Sequence, residues 1–493
     1  MILSRKIRNT ISDIIGRIGG TDLKAKSIRS MMVLGVGTAA ERGLKFARYM
    51  ILARILAPDQ FGLMAIVMVA ATMFEAFTEV GVKQSVIQNK RGAERDYLNV
   101  AWWFQVVRGL ALFVIAFFAA PWISSFYGKP ELLRLLQVAF LAILFRGLVS
   151  PRAYVLEKKY RFGKVMLLVQ GSGVFGAIVA IVLGLIIQSV WALVIGFVAE
   201  YAIMCVLSYV FVPIKPTFKI NREDLAELFR FARAMLGLPI LTIIALQADV
   251  LVLGKVVAED DLGMYFLAVA LVQLPIFLFS RIVNPVLLPV FSEKQDEKDS
   301  LCRGILQVTK TAAAFGIPLV VFMASCARGI LLLAYGSEYV GVAAPLAVLS
   351  LLVIAQFQGS VFASAYLAVG KPHLHRRCCV LRAAIIVGLI YPAAVHFGLL
   401  GAAVVVVVGY LIAVVMQVVW CRRIVDLRLG AYVRCHLSGL LLALPIILTF
   451  VILWLFQINH PICVLSIQAF VLIATFIAGF FVWNRTRLLA VTT

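Results

Sequence analysis

A chain of 493 residues that is 63% hydrophobic and only 14% charged has too little polar surface for a soluble globule of its size, and reads as a polytopic membrane protein. Its formal charge of +22 falls in short loops between apolar runs rather than on one basic face, which points to topology and anionic lipid instead of nucleic acid. Eight cysteines without CxxC or paired-knuckle spacing read as small hydrophobes, not as metal ligands or disulfides.

Residues 1–20 have dispersed apolar residues and no early hydrophobic run with a cleavage site, unlike a signal peptide. Ile7, Ile11, Ile14, Ile15 and Ile18 recur at helical spacing among Arg5, Lys6, Arg8 and Arg17. That pattern predicts a basic amphipathic helix on an anionic membrane surface, with a disordered basic tail as the alternative.

The first two predicted spans, 31–53 and 63–82, form a hairpin around a polar break at 54–62. Further apolar runs are expected at 99–120, 131–151, 165–187 and 190–212. A basic linker precedes runs at 232–255, 262–284, 306–326, 342–366, 377–397 and 401–421. A second basic linker precedes 437–457 and 463–483. The predicted fold class is therefore all-α with fourteen transmembrane helices: two six-helix bundles in parallel repeat plus a C-terminal helix pair. The corresponding segments are an N-terminal cytoplasmic segment 1–30, an N-lobe 31–212, a linker 213–231, a C-lobe 232–421, a linker 422–436, the helix pair 437–484 and a tail 485–493. Basic residues cluster in alternate loops, for example Lys158, Lys159, Arg161 and Lys164, while the opposite loops hold little beyond Arg54, Lys129, Lys255 and Arg328. The alternation predicts both termini inside the cell.

The repeat is read from the stretches 52–64 and 253–265. Ala53 matches Gly254, Arg54 matches Lys255, Ala57 matches Ala258, Asp59 matches Asp260 and Gly62 matches Gly263, all 201 residues apart. Each copy falls at the outer turn between the first and second helix of a predicted six-helix set.

Charges inside apolar runs are expensive unless they face other helices or water. Glu41, Lys45 and Arg48 follow i, i+4, i+7 spacing on one helix face, with Arg42 beside it. Glu75 and Glu79 are four apart on the returning helix, Arg108 and Glu200 lie within later spans, and Asp249 lies in the seventh. Arg281, Lys310 and Arg382 lie near the inner ends of second-half spans; these and Arg146 suit snorkelling to the interface. The functional reading is an aqueous cavity whose basic residues Arg42, Lys45, Arg48 and Arg108 neutralise a phosphate-bearing or acidic-sugar headgroup. Glu41, Glu75, Glu79, Glu200 and Asp249 would couple ions or latch gates, because burial makes a carboxylate easier to protonate. The structural alternative is ion pairing alone. No GxxxxGK[ST] or HExxH motif occurs, His373 and His375 read as surface residues, and no metal site or cofactor is implied.

With these residues in view, the chain resembles the polysaccharide transporter branch of the multidrug/oligosaccharidyl-lipid/polysaccharide exporter superfamily, in particular the Wzx-type flippases of the colanic-acid and teichuronic-acid exporter group. The stretch that carries the resemblance is Ala53-Arg54-x-Leu56-x-Pro58-x-x-Phe61-Gly62, with Gly81 closing the next span. Its partner runs from Leu253-Gly254-Lys255 to Gly263-x-Tyr265, and the tract from Ser150-Pro151-Arg152 to Arg161-Phe162 is similar too. The resemblance implies a non-enzymatic transporter of two lobes in a V shape in the bacterial inner (cytoplasmic) membrane. It implies outward passage of an undecaprenyl-diphosphate-linked oligosaccharide by alternating access, with H+ or Na+ as coupling ion. Expected partners are that lipid-linked oligosaccharide, anionic membrane lipids, and the polymerase and chain-length regulator of the same pathway, with no nucleic acid. The rival readings are a multidrug antiporter of the same superfamily and a membrane polysaccharide polymerase or glycosyltransferase, the latter lacking the large extramembrane loop it would need.

Overall fold

The computed structural model describes residues 23–76, 82–159, 161–218, 221–235, 238–458 and 460–489. The amphipathic segment expected at 1–20, Glu79, Gly81 and both chain ends lie outside them. All regular structure among the described residues is helical. The chain divides into two compact units. The first holds the described residues up to Arg48 together with Ala70–Ile240, and the second holds Tyr49–Val69 together with everything from Leu241 onward.

Helices α1 (Leu23–Leu52) and α2 (Pro58–Ala76) each contribute to both units. The first unit continues with α3 (Val82–Gln88), α4 (Arg95–Tyr127), α5 (Glu131–Ala139), α6 (Leu141–Gly147), α7 (Arg152–Lys158), α8 (Phe162–Ile187), α9 (Val190–Phe211) and α10 (Arg222–Met235). Its long helices are apolar all round, and α4 leaves Phe118 70% and Trp122 79% exposed, a surface that only lipid can cover. Helix α4 stops at Gly128, whose φ of 69° turns the chain and sends its N–H back to the last carbonyls.

The second unit holds α11 (Leu238–Val256), α12 (Glu259–Glu293), α13 (Lys298–Ser325), α14 (Ala327–Ala334), a 3-10 turn (Ser337–Val342), α15 (Ala343–Ala368), α16 (Pro372–Val425), α17 (Leu429–Leu455) and α18 (Pro461–Leu489). One end of this unit is cored by Phe291, Ile305, Phe362, Tyr366, Cys421 and Val425. His373 and His375 lie in the first turn of α16 rather than in a loop. His375 is half-buried, with Cys379 Sγ 3.5 Å and Gln417 Nε2 3.4 Å away.

The structure corrects the expected architecture of fourteen spans in two six-helix bundles. Among the described residues nine helices are long and apolar enough to cross a bilayer, or ten if the bent combination of Glu131–Gly147 and Arg152–Lys158 is one span. The described residues of the runs at 31–53, 63–82 and 232–255 are helical except Ala53, but these runs do not count among them. Glu41, Arg42, Lys45 and Arg48 lower the apolar character of α1, and Asp59 and Glu75 stand near the two ends of α2. The run at 131–151 is broken, with a 62° bend before α7. The runs at 377–397 and 401–421 form two helical stretches of the 54-residue α16, divided where the sequence reading divides them. It is interrupted at Gly398, where φ is 55°. Nor do the compact units follow two sets of six helices, since Tyr49–Val69 belongs with the second half of the chain.

The turn motif itself has a local structural meaning. Within the second unit, a Cβ on Gly62 would overlap the carbonyl oxygen of Glu259, and a Cβ on Gly263 would overlap that of Pro58. Pro58 and Glu259 stand in the same 201-residue register as Gly62 and Gly263, so the two copies of the motif pack on each other reciprocally. Arg54 Nη2 donates to the Leu333 carbonyl at 2.7 Å, and Tyr339 Oη donates to the Leu56 carbonyl at 3.3 Å. Lys255 stands exposed beside this contact at the end of α11. Even a methyl group should force the paired backbones apart. Gly62→Ala and Gly263→Ala are each expected to lower stability by about 1–3 kcal/mol. Gly43→Ala, in α1 where a Cβ meets nothing within 4 Å, should not, as thermal melts of the purified protein will report.

Candidate functional site

The first unit collects its charges in two linked places. On α1, Glu41 and Lys45 lie one turn apart, and Lys45 Nζ is 2.9 Å from Glu41 Oε1. Helix α9 brings in Glu200, whose Oε1 accepts from Lys45 Nζ at 2.7 Å. One ammonium is thus held by two carboxylates. Helix α8, which faces both acids, carries glycines where they approach. A Cβ on Gly173 would come within 2.8 Å of Glu41 Oε1, and one on Gly176 within 2.7 Å of Glu200 Cβ. Gln170, on the same helix, donates to Thr38 Oγ1 at 3.2 Å.

The next residue of α9, Tyr201, leads to the second place. Arg146, from α6, lies over its ring at 5.7 Å and donates through Nη1 to Glu75 Oε2 at 2.8 Å. Arg146 also lines a cavity of about 310 Å³, at the lower end of the roughly 300–1,000 Å³ typical of ligand pockets. Lys83, Gln84, Gln105, Arg108, Tyr154 and Glu157 share its wall. Lys83 Nζ is 2.9 Å from Glu157 Oε1. Gln105 Nε2 donates to the carbonyls of Arg146 and Val149, both at 3.1 Å, and so fastens the end of α6 against α4. Arg108 stands half-buried on α4, 5.9 Å from the Phe104 ring. The wall carries three cationic side chains and one carboxylate, so an anion entering it would meet net positive charge.

The structure brings Glu41, Lys45 and Glu200 into contact and places Arg108 in the cavity with Arg146. Arg48 is buried on α1, while Arg42 is exposed on it. Asp249 belongs to the second unit, where it is buried, accepts from the Val250 N–H at 2.9 Å and from Tyr265 Oη at 3.1 Å. Of the other second-unit basic residues, Lys310 is exposed, Arg281 lies over Phe277 at 5.4 Å and Arg382 over Tyr410 at 4.3 Å. Arg146 pairs with Glu75 instead of snorkelling to the interface. Lys83, Tyr154, Glu157 and Tyr201 were not singled out by sequence reasoning. A signal existed for Lys83, which stands four residues after Glu79 as Glu79 does after Glu75. Among the described residues no group of His, Cys, Asp and Glu could hold a metal ion, and the cysteines are free thiols.

Residues 51–344 match the model of a family described as polysaccharide biosynthesis protein. The chain is 23% identical to the teichuronic acid biosynthesis protein TuaB of Bacillus subtilis over 298 residues, 60% of this chain and 62% of that one. It is 23% identical to the succinoglycan biosynthesis transport protein ExoT of Rhizobium meliloti, covering 60% of each. The matches thus span about three fifths of the length of these two relatives. The lipopolysaccharide biosynthesis protein WzxC of Escherichia coli is 20% identical, over 80% of each chain. Among solved structures the fold is similar to that of the lipid II flippase MurJ in an inward closed conformation, with a TM-score of 0.77, 16% identity and 93% and 100% of the two chains covered. It is also similar to an inward-facing multidrug resistance MATE family transporter, with a TM-score of 0.63, 16% identity and 81% and 98% covered. With its many apolar helices it is a multi-pass membrane protein, and, since the family model covers more than half of the chain, it belongs to the family described as polysaccharide biosynthesis protein.

Proposed function

We propose that this protein flips an undecaprenyl-diphosphate-linked oligosaccharide from the cytoplasmic to the outer leaflet for surface or exopolysaccharide assembly, by alternating access coupled to H+ or Na+. The observation that carries the reading is the cationic cavity of the first unit, walled by Lys83, Arg108 and Arg146 within apolar helices. A diphosphate is a compact multiple anion. Guanidinium groups can hold its oxygens in pairs, and the low-dielectric surroundings strengthen that attraction. The polyprenyl tail remains in lipid while the headgroup crosses, so no covalent bond is made or broken. We assign Lys45, Arg48 and the exposed Arg42 of α1, outside the cavity wall, to the headgroup's path.

TuaB, ExoT and WzxC are named for three different polysaccharides. That favours a recognition element common to such cargoes, the lipid diphosphate, over one sugar sequence. Helices of this fold also serve a multidrug transporter, but the excess of basic over acidic side chains around the cavity favours an anion over a cationic drug. Cargo moves the conformational equilibrium only through different affinities for the inward and outward states. We assign that differential to the carboxylates. Protonating or sodium-loading Glu41 or Glu200 loosens Lys45, and Glu75 does the same for Arg146. Asp249 would act similarly in the second unit. Glu79, in the stretch between α2 and α3, is assigned to the same set.

Flipping of a fluorescent lipid-linked oligosaccharide in proteoliposomes tests these roles. Arg108→Gln should reduce the rate at least about tenfold, the equivalent of one charge-assisted hydrogen bond, with normal protein yield. A normal rate would remove Arg108 from the headgroup site. Arg146→Gln leaves Glu75 half-buried without its cation and should lower stability by roughly 2–3 kcal/mol. Adding Glu75→Gln should restore the melting temperature but not transport, which separates scaffolding from cargo binding. Glu200→Gln should abolish the response of the rate to imposed proton or sodium gradients. A response of unchanged size would exclude it from coupling.

A further inference from the structure

Helix α10, in the connection that follows α9, has two unlike faces. Asp224 and Leu228, four residues apart, are buried at 1% exposure each. Asp224 Oδ1 accepts from Arg91 Nη1 at 3.1 Å, and the neighbouring Glu227 accepts from Asn89 Nδ2 at 2.8 Å. Leu228 packs with Val82, Val86, Tyr97 and Leu98. This inner face therefore clasps the loop after α3, and Lys158 of α7 reaches the carbonyls of Val86 and Asn89 from the other side. The outer face is different. Arg222, Leu225, Ala226, Phe229 and Arg230 follow i, i+3, i+4, i+7, i+8 spacing and are all exposed. Phe229 is 60% exposed and Leu225 37%. The stripe is apolar in the middle and basic at both ends.

The chain before α10 shows the level at which this stripe lies. Trp102 Nε1 donates to Tyr209 Oη at 2.8 Å, and Trp103 Nε1 donates to the Thr217 carbonyl at 2.9 Å. Trp103 also packs against Phe218, with ring centroids 5.1 Å apart, and Phe218 is itself 88% exposed. Trp and Tyr gathered at the ends of two membrane-crossing helices mark a membrane–water boundary. Phe218 extends that belt directly towards α10, and Lys215 adds a further exposed basic residue.

We infer that the outer face of α10 is a binding surface for the anionic headgroup layer of the bilayer. Phe218, Leu225 and Phe229 enter the headgroup and acyl boundary, and Lys215, Arg222 and Arg230 meet lipid phosphates. The occupant is the lipid surface, because the apolar stripe continues the aromatic belt of the spans and its charge complements anionic lipid. The inner face of α10 is tied to the loop after α3, whose Lys83 lies in the cavity wall. Anionic lipid therefore also braces one wall of the cavity.

The test places an environment-sensitive fluorescent residue at position 225, 229 or 223 of the full chain. Each variant is reconstituted into phosphatidylcholine vesicles with or without phosphatidylglycerol, and quenching by lipid-borne quenchers is read. Labels at 225 and 229 should shift to the blue and be quenched from the bilayer in phosphatidylglycerol vesicles, while the label at 223 stays aqueous. With Arg222→Gln and Arg230→Gln together, the label at 229 should lose most of its shift. Aqueous emission at 225 and 229 in anionic vesicles would overturn the assignment, as would equal shifts at 223 and 229, which a partner protein or non-specific burial would give. Insertion of equal depth in vesicles without phosphatidylglycerol would overturn its anionic component.

Discussion

Lys45 between Glu41 and Glu200 states the constraint that governs the first unit. A charge carried on a helix among apolar helices must find an opposite charge or water, because desolvation is larger than any single attraction can repay. One cation between two anions meets that demand only if three helices lie in fixed register. Gly173 and Gly176 are what let α8 come close enough to leave both carboxylates room. The geometry of α1, α8 and α9 is therefore tied to the ion contact, and the contact to the absence of two side chains.

The Glu75–Arg146 pair obeys the same rule with a different outcome. Its guanidinium satisfies a carboxylate and still lines an open cavity with Arg108 and Lys83. A wall of this kind is poised rather than saturated. An incoming anion competes with Glu75 and Glu157 for cations already in place, so binding and the release of acidic side chains are coupled electrostatically.

The legible part of the sequence was the part set by local periodicity and by cost. The spacing of Glu41, Lys45 and Arg48 marked one face of α1, and charges in apolar runs marked Glu75, Arg108 and Glu200 as needing partners. The 201-residue register relating Gly62 to Gly263 was visible, but not that the two turns pack on each other. Hydropathy divided the runs at 377–397 and 401–421 where Gly398 does break α16. It counted α1 and α2 as ordinary spans, although Glu41, Arg42, Lys45 and Arg48 lower the apolar character of the first and Asp59 and Glu75 stand near the ends of the second. The run at 131–151 ends at a 62° bend before α7, which Pro151 marks in the sequence. Partner choice was illegible, as it depends on tertiary placement. Nothing in the sequence near Arg146 distinguishes pairing with Glu75 from snorkelling, and the pairing of Lys83 with Glu157 depends on α3 lying beside α7.

The central claim is that the first unit's cationic cavity receives the diphosphate headgroup. Photo-crosslinking tests it most directly, using a polyprenyl diphosphate oligosaccharide whose reactive group sits beside the phosphates, followed by peptide mapping. The account predicts adducts on the walls formed by α3, α4, α6 and α7, competed away by unlabelled polyprenyl diphosphate but not by an uncharged polyprenol. Adducts confined to the second unit, or labelling that the polyprenol removes equally well, would contradict it.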